Sequence, residues 1–166
     1  MRRLVLAAAA LAASAAGPAA LAASTVAELK NNAGQAIGQI TLTDAPKGVI
    51  MRVETKGLAP GWHGLHFHEK ADCSKSDFTS AGGHTHGAGD RIHGLLNPAA
   101  NETGDLPNLY VGADGTGATE VFSTFLKLSD LKDTDGSAVV IHANPDDFMT
   151  QPIGGAGARV ACAEIR

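Results

Sequence analysis

Six of the seven histidines of this 166-residue chain fall where they could bind metal, and the densest group is His63-Gly-Leu-His-Phe-His-Glu69. His66 and His68 are two apart. On a strand that spacing puts both rings on one face, with Leu65 and Phe67 on the other. Two neutral imidazoles side by side make half of a site for copper, zinc or a similar borderline metal. The remaining candidates, His84, His86, His93 and His142, all lie downstream. His142 ends the apolar run Ala138-Val-Val-Ile141, at the mouth of a loop, and His84 follows Gly82-Gly83, where the backbone can approach another group closely. With His66 and His68, two such rings complete a nitrogen-only site suited to copper. His84, His86, His93 and Asp105 form a second group within one long loop, and histidines with a carboxylate suit a closed zinc site.

The elements that must position these residues are strands. Ser24 to Lys30 reads as a short strand. Gln35 to Asp44 alternates through Gly38, Ile40 and Leu42, with Ile37 out of phase, which points to a strand start or a bulge there. Val49 to Lys56 alternates again, and Gly57 to Gly61 leads into the histidine strand. Strand patterns resume at Asn108 to Val111, Ala118 to Leu126, Gly136 to His142 and Arg159 to Ile165. No stretch after residue 23 shows helical periodicity. Short strands joined by tight turns indicate an antiparallel sandwich or barrel. Between them stand two long loops, Glu69 to about Pro107 and Ala143 to Ala158. A loop of about forty residues in a compact domain is functional or tied down.

Residues 1–23 carry Arg2-Arg3, an apolar run from Leu4 to Ala16, the break Gly17-Pro18 and small residues at 20–23, the pattern of a secretory signal peptide. Its removal leaves 11 basic against 17 acidic residues, a net charge of −6 with histidines neutral. That balance argues against a nucleic-acid partner. No other segment is apolar for long enough to cross a bilayer, so a soluble exported domain over residues 24–166 is expected, with no membrane partner. In an exported chain, two cysteines, Cys73 and Cys162, form a disulfide by default. Such a bridge brings Arg159 toward the ligand-bearing loops, where a guanidinium is a receptor for a small anion. An exported copper carrier on the same scaffold would share the ligands but have no need of Arg159.

Six ordered motifs carry a resemblance: His63-Gly-Leu-His-Phe-His-Glu69, Ser80-Ala-Gly-Gly-His84, His93-Gly94, Gly104-Asp-Leu-Pro-Asn108, Val140-Ile-His142 and Arg159-Val-Ala-Cys162. From about Thr25 to Ile165 the chain resembles copper/zinc superoxide dismutase of the secreted bacterial type. The resemblance implies an all-β, eight-stranded antiparallel Greek-key barrel of the Ig-like sandwich kind, acting on superoxide in the periplasm. It implies copper held by His66, His68, His84 and His142, and zinc held by His93 and Asp105 with His84 as the bridge. Arg159 would guide superoxide, Cys73 and Cys162 would be bridged, Asp146 would be the carboxylate between the two metal sites, and His63 would be a non-ligand. Two departures stand out. The family's remaining zinc histidine lies three residues before the zinc aspartate, and here that position is Glu102. Glu102 could serve as the ligand, His86 could replace it, or zinc could bind weakly or not at all. The loop Ala143 to Ala158 also lacks the lysines the family often uses to attract superoxide, which leaves Arg159 as its main local cation. Monomer and homodimer both remain open.

Overall fold

A computed structural model describes residues 22–166; residues 1–23, expected to be a signal peptide, lie almost entirely outside that range. Nine antiparallel strands make one sheet: β1 (Ser24–Asn31), β2 (Ala36–Ala45), β3 (Gly48–Lys56), β4 (Gly61–His63), β5 (Leu65–His68), β6 (Leu109–Val111), β7 (Thr116–Ser123), β8 (Ser137–His142) and β9 (Arg159–Ile165). Their order is β4-β6-β7-β3-β2-β1-β9-β8-β5. The two ends of that order, β4 and β5, are consecutive in the chain and separated only by Gly64. The sheet therefore curls until its edges meet in a single segment. The first half of that segment pairs with β6 and the second half with β8. Counting it as one strand restores the expected eight and leaves a nearly closed barrel. At the break, the Gly64 N–H donates to Asn144 O (2.8 Å) and its carbonyl accepts from His142 N–H (2.8 Å). A Cβ at residue 64 would stand 2.8 Å from Ala156 Cβ, so the close passage needs glycine.

Hydrophobic burial follows the alternation. Leu29, Ile40, Leu42, Val49, Met51, Val53, Leu65, Phe67, Val139 and Ile141 fill the interior. Ile37 joins them because of a bulge: Leu29 pairs with Gly38, whereas Lys30 pairs with Ala36, so Ile37 is the extra residue. Ile50, also out of phase, points outward beside Phe122 on β7. A smaller cluster of Phe78, Ala81, Ala138, Val140 and Cys162 packs on the outer side of β8. β8 is thus buried on both faces, which explains its unbroken apolar run.

Two details depart from the sequence reading. The strand expected at 118–126 runs from Thr116 to Ser123. A single helical turn, α1 (Leu128–Leu131), follows it, with Leu128 and Leu131 buried. The turn is too short to show a period. A 3-10 turn also spans Thr79–Ala81 inside the long loop.

Candidate metal centre

β5 carries the two central histidines. Its residues alternate as expected, with Leu65 and Phe67 in the core and His66 and His68 on the opposite side, and all four are buried. One edge of β5 pairs with β8, and the other is met by the long loop. Single bridges join His66 to Asp105 and His68 to His84. Phe67 N–H donates to Gly104 O (2.9 Å), and Thr85 N–H donates to Phe67 O (2.9 Å). The loop is therefore stitched to the histidine strand through main-chain bonds, and this is how a segment without a core of its own holds its ligands in place. His142 arrives from β8. Its register against β9 slips between Ile141 and His142, which re-aims the last side chain of the strand.

The four rings of His66, His68, His84 and His142 have pairwise centroid distances from 3.9 to 6.5 Å. One potential ligand atom from each lies within 4.8 Å of the others. The hydrogen bonds show which atoms these are. His66 Nε2–H donates to Asp146 Oδ2 (2.8 Å), His68 Nδ1–H to Gly82 O (3.1 Å) and His142 Nδ1–H to Gly157 O (3.1 Å). His84 Nδ1 faces Glu102 Oε2 at 2.7 Å. In each ring the other nitrogen, His66 Nδ1 or Nε2 of the remaining three, is buried without a hydrogen-bond partner. A buried polar atom left unmade costs about 1–3 kcal/mol. Four such atoms turned toward one point fit a metal ion, and an imidazole-only donor set suits copper.

Electrostatics keep these lone pairs available. Burial lowers His66 from 6.5 to about 4, against the pull of the Asp146 hydrogen bond, and the nearby His84 lowers it further. Burial and the neighbouring His66 take His142 down to about 3. Burial, then His84 and Arg159, also lower His68. All three rings are thus neutral at physiological pH.

The second group lies on the far side of His84. His93 Nδ1 is 2.8 Å from Glu102 Oε2 and 2.9 Å from Asp105 Oδ1. His84 Nδ1 is 3.4 Å from the same Asp105 oxygen. Asp105 Oδ2 is held by Gly94 N–H at 2.8 Å. His66, His84, His93 and Asp105 also offer donors within 4.8 Å of one another, but the hydrogen bond of His66 Nε2 to Asp146 leaves its other nitrogen to the four-ring cluster. Burial opposes charge on His93, yet the carboxylates of Asp105, Asp146 and Glu102 raise it to about 11. Burial likewise opposes charge on His84, and Asp105 and Glu102 outweigh it.

Asp146 joins the two groups. Its Oδ2 accepts from His66 and its Oδ1 from His93 Nε2–H (3.0 Å). Its main chain is fixed to the side chain of Asn108 through two bonds, of 2.8 and 2.9 Å. Gly154 packs against it at φ +60°, where a Cβ would stand 1.7 Å from Asp146 Oδ1. His63 takes no part: its ring nitrogens lie 2.7 Å from the carbonyls of His142 and Ala59. His86 stands apart as well, with Nδ1–H on Gly87 O (2.6 Å) and Nε2 3.6 Å from Glu69 Oε1.

Arg159 lies beside this cluster, paired across strands with His142. Two of its guanidinium nitrogens donate to Phe78 O (2.6 Å) and Gly82 O (2.7 Å). Gly82 O also accepts from His68, so one carbonyl ties the cation to a ring of the four-histidine cluster. Burial lowers Arg159 from its ordinary value, opposed by the carboxylates of Asp77 and Glu69. Cys73 and Cys162 are bridged, with Cα atoms 5.9 Å apart, and the bond fastens the Phe78–Gly82 segment to β9. Gln151 was not apparent in the sequence. Its side chain accepts from His93 N–H (2.9 Å) and donates to His93 O (2.8 Å), clamping that residue's backbone. A lone glutamine in a polar loop gave no signal of this.

A nearly closed antiparallel barrel whose loops bring four free imidazole nitrogens beside a histidine–carboxylate group, with a fixed arginine alongside, fits the class of proteins that hold two metal ions side by side. Comparison with known proteins narrows this class. Residues 36–165 match the family described as copper/zinc superoxide dismutase (SODC). A Cu-Zn superoxide dismutase of Caulobacter vibrioides is 53% identical over 149 residues, covering 86% of each chain. One from Aquifex aeolicus is 39% identical over 146 residues, covering 84% of this chain and 85% of the relative. Among solved structures, a SOD-like protein from Bacillus subtilis superposes with a TM-score of 0.77 at 35% identity, over 85% of this chain and 97% of that one. Cu/Zn superoxide dismutase from Brucella abortus gives a TM-score of 0.73 at 30% identity, over 87% and 100%. The chain belongs to the copper/zinc superoxide dismutase family, and its activity is the disproportionation of superoxide to oxygen and hydrogen peroxide with copper and zinc as cofactors.

Proposed function

We propose that His66 Nδ1 and the Nε2 atoms of His68, His84 and His142 hold the copper. His84 Nδ1, His93 and Asp105 face the zinc. The carrying observation is the set of four buried ring nitrogens left without partners and turned toward one another. Copper bound there supplies the one-electron exchange that turns one superoxide into oxygen and a second, with two protons, into hydrogen peroxide.

The chain's own groups do the rest. Gly82, Gly157 and Asp146 fix three rings by their donor nitrogens, so the lone pairs need no reorientation. Only His84 faces both groups. Its Nε2 can take up a proton on the copper side while Nδ1 stays held on the carboxylate side. Arg159 has five N–H donors, of which two are spent on Phe78 and Gly82. Its charge and remaining donors receive the superoxide anion next to His142. We further propose that residues 1–23 are removed on export and that the domain, beginning with β1 at Ser24, works in the periplasm.

Superoxide consumption by copper-loaded protein, with cyanide as inhibitor, tests this reading. His142→Ala should reduce the rate to background while the circular dichroism of the barrel persists. Arg159→Ala should slow turnover and flatten its dependence on salt. Full activity in copper-loaded His142→Ala refutes the ligand set.

A further inference from the structure

We propose that Glu102 is the fourth zinc ligand, so that this chain binds zinc through two imidazoles and two carboxylates. The proposal rests on the two-metal reading above and extends its zinc half. Family resemblance leads to a histidine at this position, and the glutamate present is no bystander. Main-chain bonds from Thr103 N–H and Gly104 N–H to Thr85 O (2.9 and 3.0 Å) and the bridge from His86 to Glu102 turn its side chain inward. The side chain is 3% exposed. Its Oε2 contacts both zinc-side rings, at 2.7 Å from His84 Nδ1 and 2.8 Å from His93 Nδ1. Asp105 Oδ1 completes the group, 3.4 and 2.9 Å from the same nitrogens and without a well-formed hydrogen bond of its own. Four ligands about 2.0–2.2 Å from a tetrahedral ion stand about 3.4 Å apart. The four cross distances between the two rings and the two carboxylates, 2.7 to 3.4 Å, fall short of that spacing by at most about 0.7 Å, so a bound ion needs only a small spreading of the group. The alternative ligand, His86, is directed at Glu69 on the surface and would have to abandon both its contacts.

Charge gives a second reason. Two carboxylates buried this deeply require two positive charges. A dication between them supplies both and, before copper is added, releases His84 and His93 to bind as neutral rings. The resulting zinc centre is formally neutral, whereas three imidazoles and one carboxylate would leave it with a charge of +1.

The test uses the metal-free mature protein, titrated with zinc chloride or cobalt(II) chloride in separate experiments and then with copper. Bound metal is measured after dialysis, and the cobalt site is read from its visible spectrum. The wild type should take one zinc per chain, or one tetrahedral cobalt. Glu102→Gln should weaken zinc at least about 100-fold, at or beyond the range seen for partners outside the ligand set. It should change the cobalt bands and keep the copper site. Glu102→His should retain zinc with a shifted cobalt spectrum, which covers the case in which Glu102→Gln does not fold. His86→Ala should change nothing. Unaltered zinc affinity and cobalt bands in Glu102→Gln, a cobalt spectrum of Glu102→His identical to wild type, or loss of zinc in His86→Ala would each overturn the proposal. A wild type that binds copper but neither zinc nor cobalt would instead overturn the zinc-site reading beneath it, and no variant is needed to see that.

Discussion

Each ring of the four-histidine cluster is held at one nitrogen and free at the other, and that division of labour suits the cluster to bind a metal ion. Asp146 shows how finely it is arranged, because one carboxylate fixes His66 and His93 on opposite sides of the bridge. Asp146→Asn keeps the size but can accept at only one of its two side-chain atoms. Metal affinity should fall about 10–100-fold. Competition with a chelator measures this, and an unchanged affinity for both metals would remove Asp146 from the account. The placement of three of the clustered rings was legible from type and spacing: His66 and His68 through strand alternation, His142 through its place at the end of an apolar run. The histidine–carboxylate group was less legible, because its contacts depend on loop backbone. Apart from the position that the family resemblance implies, nothing in the order of residues distinguishes Glu102, which turns inward, from His86, which turns toward Glu69. Gln151, whose role is to hold a main chain, is silent for the same reason.

At the scale of elements, strands are the readable part. Alternation located the strands to within a few residues, and one out-of-phase isoleucine marked a real bulge at Ile37. The switch of partners at Gly64 was not visible, since both halves of the segment look like one strand and only the closing barrel divides them. The one-turn helix α1 was missed for want of length. The long loop is ordered by what it touches: β5 through backbone bonds, and β9 through the disulfide across 89 residues. Cys73→Ser should cost about 2–5 kcal/mol of stability. It should also lower activity beyond what stability explains, because the Phe78 and Gly82 carbonyls that place Arg159 lie in the released segment. Chemical denaturation and turnover measured together check both effects. Full activity in the reduced or Cys73→Ser protein at a temperature where it stays folded would contradict the second.

For the molecule as a whole, three of the four clustered rings, His66, His68 and His142, are a store of buried neutral imidazole, and that gives the metal-free protein a particular response to acid. His66 titrates at about 4 and His142 at about 3 when folded, against 6.5 ordinarily. Between pH 6.5 and 4 the unfolded chain therefore binds protons that the folded chain refuses. Stability falls as pH falls through this window, by about 1.4 kcal/mol for each pKa unit of difference. His93 acts in the opposite direction: raised to about 11, it favours the fold up to about pH 6.5 and loses that contribution as pH climbs toward 11. The buried carboxylates, all lowered, add their loss only in stronger acid. Thermal unfolding of metal-free protein should show a melting temperature that declines steadily from pH 6.5 to 4. A flat profile over that range would mean the histidines are not buried as described.

The proposed function depends on the convergence of His66, His68, His84 and His142 on one ion. The most direct measurement is electron paramagnetic resonance of the Cu(II)-loaded protein with nitrogen-15 histidine. The account requires couplings from four imidazole nitrogens, falling to three in His142→Ala. A copper signal dominated by oxygen ligands, and indifferent to loss of His142, would contradict it.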